Sequence, residues 1–146
     1  MNFEAKGLYN RPMTEGRDTV IFSLALFNQM LAHVLSDPSQ ERCGLLAGEA
    51  GEIDRVLPVP NALRSPAAYR MDGPEFIQAM QACDFDPIGI YHSHIAGPAT
   101  PSATDIAEAN YPDSIYFIIS LQASPPSVRG FRIVHGGVSE VDIRLN

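Results

Sequence analysis

Cysteine is scarce: Cys43 and Cys83 are the only two in 146 residues, and no CxxC pair exists. A disulfide framework and a cysteine zinc knuckle are both excluded, and a reducing cytoplasm is the expected compartment. Both thiols are expected to be free and buried. Runs of Lys and Arg are absent too, and the formal net charge is −7. Nucleic-acid affinity needs a basic surface, so neither nucleic acid nor an anionic membrane is an expected partner. No stretch approaches the roughly 18 uninterrupted apolar residues of a membrane span. The opening segment, MNFEAKGLYNRPMTEGR, has no apolar h-region and does not read as a secretory signal. Repeats and low-complexity segments are missing as well.

What remains is ordinary globular material. The 45% hydrophobic and 18% charged fractions suit one domain with one core. Residues 1–17 read as an N-terminal extension, loosely ordered, and 18–146 as the domain. Strands are expected at 18–22, 42–48, 53–59, 88–91, 115–121, 128–134 and 138–144. Ser23 is a plausible cap for a helix over 24–36 whose apolar face is Leu24, Phe27, Leu31, Val34 and Leu35. Asp72 and Pro74 open a second helix running to about 84, with Phe76, Ile77, Met80 and Cys83 on one side. A third, short helix is expected over 102–109. Helices and strands mix without strict βαβ alternation. The expected class is therefore α+β, an α/β sandwich with a mixed, largely antiparallel sheet flanked by helices.

The chemistry concentrates in HSHIAGPATPSATD, residues 92–105. His92 and His94 follow a buried strand and sit two apart, so on a strand they share a face and Ser93 points away. After seven residues come Ser102 and Asp105, three apart at a helix start and again on one face. Two histidines and a carboxylate leave one corner of a tetrahedron open, which is a catalytic rather than a structural zinc arrangement. Each part also has a plainer reading. Ser102 and Asp105 form a possible capping box, HxH can be a pair of strand-end histidines, and Glu41 can be a solvated surface acid. His33 and His135 lack partners at ligand spacing and read as structural or surface. Tyr91 and Tyr111 read as core packing.

Glu41, then C-G-L-L from Cys43, His92-x-His94, seven residues, and Ser102-x-x-Asp105 resemble the JAMM (MPN+) motif of zinc metallopeptidases, in the compact prokaryotic form. The likeness spans about residues 18–146. It implies a cytidine-deaminase-like MPN architecture, one Zn2+ per chain on His92, His94 and Asp105, and Glu41 as the acid/base that activates a water. Spacing alone does not single out Glu41; the resemblance does. It also implies that Ser102 hydrogen-bonds the developing oxyanion or the water. One departure is Ile95, where many members carry proline, which bears on the substrate groove.

The implied activity is hydrolysis of a peptide or isopeptide bond at the C-terminus of a ubiquitin-like or sulfur-carrier protein ending in Gly-Gly. The connection from the second helix through Pro87 to Ile88 is short, which suits a small tail better than a ubiquitin chain. The chain is expected to be a monomer or homodimer. Alternatives are a non-catalytic MPN scaffold, a deubiquitinase-type isopeptidase, and a non-haem iron enzyme. The last expects H-x-D/E…H, whereas the order here is H-x-H…D.

Overall fold

A computed structural model describes residues 17–146. The expectation for residues 1–16 lies outside the described residues. The elements run β1 (Thr19–Phe22), α1 (Leu24–Leu35), β2 (Cys43–Glu49), β3 (Glu52–Val59), α2 (Gly73–Ala82), β4 (Gly89–His94), α3 (Ala103–Ala107), β5 (Ile115–Ser120), β6 (Ser127–Val134) and β7 (Gly137–Leu145).

The strands pair in the order β1-β3-β2-β4-β5-β6-β7. Antiparallel pairing joins β3 to β2, β2 to β4, β5 to β6 and β6 to β7. β4 and β5 are parallel. The sheet is thus mixed and largely antiparallel, as expected. A closure comes in addition: β1 lies parallel to β7 over Thr19–Phe22 and touches β3 at Ile21, so both outer strands gain a partner. This covers edges that would otherwise offer unpaired backbone groups.

Strand alternation sends side chains to two apolar layers. Phe117, Ile119, Tyr91 and Leu46 join Phe22 and the buried face of α1, which is Phe27, Met30, Leu31 and Val34. Ile118, Tyr116, Ile90 and Leu45 join Ala79 and Met80 of α2 on the other side, with Ile106 of α3 against them. Helices therefore cover both faces. Burying a side chain such as Phe117 contributes roughly 1.5–3 kcal/mol.

Ser23 caps α1, its hydroxyl accepting the Leu26 N–H at 3.2 Å. Expectation and structure part at α2. Ile77 is 51% exposed. The inward stripe is Phe76, Ala79, Met80 and Cys83, and Ile77 lies about 100° round the helix from Phe76. The helix also ends at Ala82, because Asp84 and Phe85 take positive φ. The β6–β7 turn has positive φ at His135 and Gly136, the signature of a tight hairpin turn. Cys43 is buried, Cys83 is half-buried, and both are free thiols. No helix among the described residues is long and apolar enough to cross a membrane.

Candidate metal centre

β4 sits between β2 and β5, buried along its whole length. His92 and His94 fall at its C-terminal end, on the face covered by α2 and α3. The ring nitrogens Nε2 of the two histidines are 3.0 Å apart. α3 begins where Ser102 accepts the Asp105 N–H at 3.0 Å and Asp105 Oδ2 accepts the Ser102 N–H at 2.9 Å. The capping box is therefore real. It does not compete with the other reading, since the same carboxylate lies 3.0 Å from His94 Nε2 and 3.2 Å from His92 Nε2.

These three donor atoms form a compact triangle, the one such group that could hold a metal among the described residues. An ion bound tetrahedrally at about 2.0–2.1 Å has donor–donor edges of roughly 3.3 Å. The observed 3.0–3.3 Å edges match. The protonation pattern matches too. His94 Nδ1 faces the Pro98 carbonyl at 2.8 Å, so that nitrogen carries a proton and the neutral ring turns a lone pair inward at Nε2. Lone pairs and a carboxylate crowd together this closely only around a proton or a cation, so the residues fit a zinc-sized divalent ion.

The local field is uneven. Burial pushes the His92 pKa down. Burial acts on His94 likewise, but its contacts with Asp105 and the Pro98 carbonyl outweigh it and the net shift is upward. Burial opposes ionisation of Asp105, yet both histidines hold its carboxyl well below the usual range.

Glu41 enters from another direction. Cys43, two residues on, pairs with His92 across the β2–β4 ladder. Glu41 is 6% exposed, so it is not a solvated surface acid. Burial raises its carboxyl to about 7, with His94 pulling downward and Asp105 upward. Its backbone is clamped: the N–H donates to Ser65 O at 2.8 Å, and the carbonyl accepts from Asn61 Nδ2 at 2.9 Å. Beside it, Ser93 points away as expected, its Oγ accepting the Arg42 N–H at 2.9 Å.

A cavity of about 240 Å³ is lined by Glu41, Tyr69, His94, Ser102 and Asp105, with Ile95 at its wall. The structure thus brings Glu41, His94, Ser102 and Asp105 around one space, with the buried His92 against His94 and Asp105 behind it. A second hollow of about 380 Å³ shares Tyr69 and Glu108 with it. A larger cavity, about 640 Å³ between β3 and α2, is lined by none of the five candidate residues.

Two residues of this region escaped sequence reasoning. Tyr69 stacks on His92, with ring centroids 4.3 Å apart and planes 24° apart. Asn61 ties the loop carrying Tyr69 to Glu41. Both lie in an aperiodic loop, where the only available hint was an amide amid Pro and Ala. His33 and Tyr91 act structurally. The Nδ1 of His33 is 2.6 Å from the Tyr91 hydroxyl, and Arg42 Nε donates to its other nitrogen at 3.4 Å.

The family of prokaryotic homologs of the JAB domain matches residues 23–134. The chain is 40% identical over 126 residues to a "CysO-cysteine peptidase" of Mycobacterium tuberculosis, covering 82% of this chain and 86% of that one. It is 40% identical over 90 residues to a "Probable TtuB-protein conjugate cleaving protease" of Thermus thermophilus, covering 59% and 60%. A solution structure of a Desulfitobacterium hafniense protein superposes with a TM-score of 0.77 at 34% identity, over 87% of this chain and 92% of that one. The match to the family over most of the domain, carried by a chain whose motif residues converge in the fold, makes this protein a member of the prokaryotic JAB family, the compact JAMM/MPN type.

Proposed function

We propose that this protein is a zinc-dependent hydrolase that removes a C-terminal extension from a small ubiquitin-like or sulfur-carrier protein ending in Gly-Gly. The observation that carries the reading is the convergence of His92, His94 and Asp105 at 3.0–3.3 Å beside the buried Glu41. The name of the mycobacterial relative supports the substrate class.

His92, His94 and Asp105 would hold zinc, which supplies Lewis acidity and brings the pKa of a water towards about 7. Glu41 takes the proton from the attacking water and returns it to the leaving amine. A carboxyl titrating near neutrality suits both transfers, because general catalysis is best when the catalytic pKa lies close to the working pH. Ser102 directs its hydroxyl hydrogen at the developing oxyanion, since its oxygen already accepts the Asp105 N–H. The capping box fixes both groups of α3 at once. The small cavity suits an extended tail rather than a folded surface.

The test is incubation of zinc-supplied protein with CysO carrying a C-terminal cysteine, and with a Gly-Gly carrier joined to a lysine side chain, read by intact mass. Loss of the C-terminal residue supports peptide cleavage. Release of the carrier from lysine supports the isopeptide reading, for which the name of the Thermus relative speaks. A zinc-loaded protein that cleaves neither would favour a scaffold role.

A further inference from the structure

Histidines that bind metal are ordinarily held by a hydrogen bond from the second ring nitrogen, which fixes tautomer and ring plane. His94 has that bond, to the Pro98 carbonyl. His92 does not: its Nδ1 is buried and has no hydrogen-bond partner among the described residues. The imidazole χ2 torsion is intrinsically broad, so something else must set the plane of this ring. The flat face of Tyr69 lies on it at 4.3 Å, and the edge of His94 meets it at 4.8 Å.

Tyr69 is itself held by one side chain. Asn61 Nδ2 donates to the Ala68 carbonyl at 3.0 Å, and Asn61 Oδ1 accepts the Arg70 N–H at 3.1 Å. The residues on both sides of Tyr69 are thus tied to a single amide. That amide also donates to the Glu41 carbonyl. We propose that Tyr69 is the positioning residue for His92, its stacked ring taking the place of the missing hydrogen bond, and that Asn61 holds Tyr69 and Glu41 in one register. The role belongs to the ring face, because no hydrogen bond of the Tyr69 hydroxyl occurs among the described residues. The inference rests on the metal reading above.

The experiment is titration of metal-free protein with Zn2+ against a chromophoric chelator, with thermal unfolding as the check on folding. Wild type and Tyr69→Phe should bind within about twofold of each other, since both keep the flat face. Tyr69→Leu keeps apolar bulk but loses the face, and its affinity should fall roughly 10- to 100-fold, the range for lost ligand support. Tyr69→Met serves in the same way if the leucine variant does not fold. Leucine or methionine variants that bind as tightly as wild type overturn the proposal while leaving the metal site intact. A wild type that binds no Zn2+ overturns the metal reading itself, and this inference with it.

Discussion

The side-chain amide of Asn61 donates to the backbone carbonyl of Glu41 across 2.9 Å, linking the end of β3 to the entry of β2. The same side chain serves Ala68 O, Leu63 N and Arg70 N, and it is 5% exposed. Asn61→Ala removes all four bonds and leaves buried backbone groups unpaired. At about 1 kcal/mol each, the expected loss is about 2–4 kcal/mol. Denaturant titration measures it, and a loss under about 1 kcal/mol would show that the loop stands without the amide.

Glu41→Gln should keep the metal and lose activity. Gln preserves the shape and removes the carboxyl proposed to accept and return the proton, a contribution of roughly 10²–10⁴-fold. Metal content and turnover, measured on the same sample, separate the two effects. Turnover at the wild-type rate would remove Glu41 from the mechanism.

Added zinc should raise the melting temperature of the wild type, and Asp105→Ala should lower zinc occupancy and abolish that rise. It also breaks the capping box, so Asp105→Asn is the companion variant: it keeps a side-chain oxygen for the Ser102 N–H but loses the charge. Unchanged zinc content in both variants would refute ligation by Asp105.

In the pH dependence of the metal-free protein's stability, Glu41 and His33 should act in opposite directions. Burial raises Glu41 to about 7 from 4.5, so the stability linked to its proton is present below about 4.5 and lost as pH rises through 7. Burial, then Arg42, lowers His33 to about 4 from 6.5, so its contribution is present above about 6.5 and lost as pH falls through 4. Glu41→Gln should therefore exceed wild type in stability at pH 8 and match it near pH 4. His33→Gln should flatten the acid side instead. Denaturation midpoints across pH 4–8 decide, and a Glu41→Gln protein no more stable than wild type at pH 8 contradicts the assignment.

Gly44→Ala should be strongly destabilising. A Cβ there would lie 2.5 Å from the ring and hydroxyl of Tyr91, whose position is set by His33. Overpacking of this kind costs about 1–3 kcal/mol. A variant with the wild-type midpoint would mean that Tyr91 can shift freely.

Much of this protein was legible in its residues because the signals were local. Alternation along β4 turns His92 and His94 to one side, and three-residue spacing does the same for Ser102 and Asp105. The apolar period of α1 and the cap at Ser23 follow from helical geometry over a few residues. Ile77 shows the limit even there: an apolar residue next to the stripe is not thereby on it.

Other features depended on pairings between distant segments. Glu41 is 51 residues from His92, and only the register Cys43 to His92 in the β2–β4 ladder brings their segments side by side. Tyr69 and Asn61 lie in a loop without a period, so nothing local marks them, and their roles arise from what the folded chain lays beside them. Closure through β1 likewise belongs to the assembled sheet. The sequence by itself determined which donor types share a face, because backbone periodicity is a property of neighbours. Only the tertiary structure decided that Glu41, the His92, His94 and Asp105 cluster and the stacked ring of Tyr69 meet, because strand register and loop anchoring are properties of the whole chain.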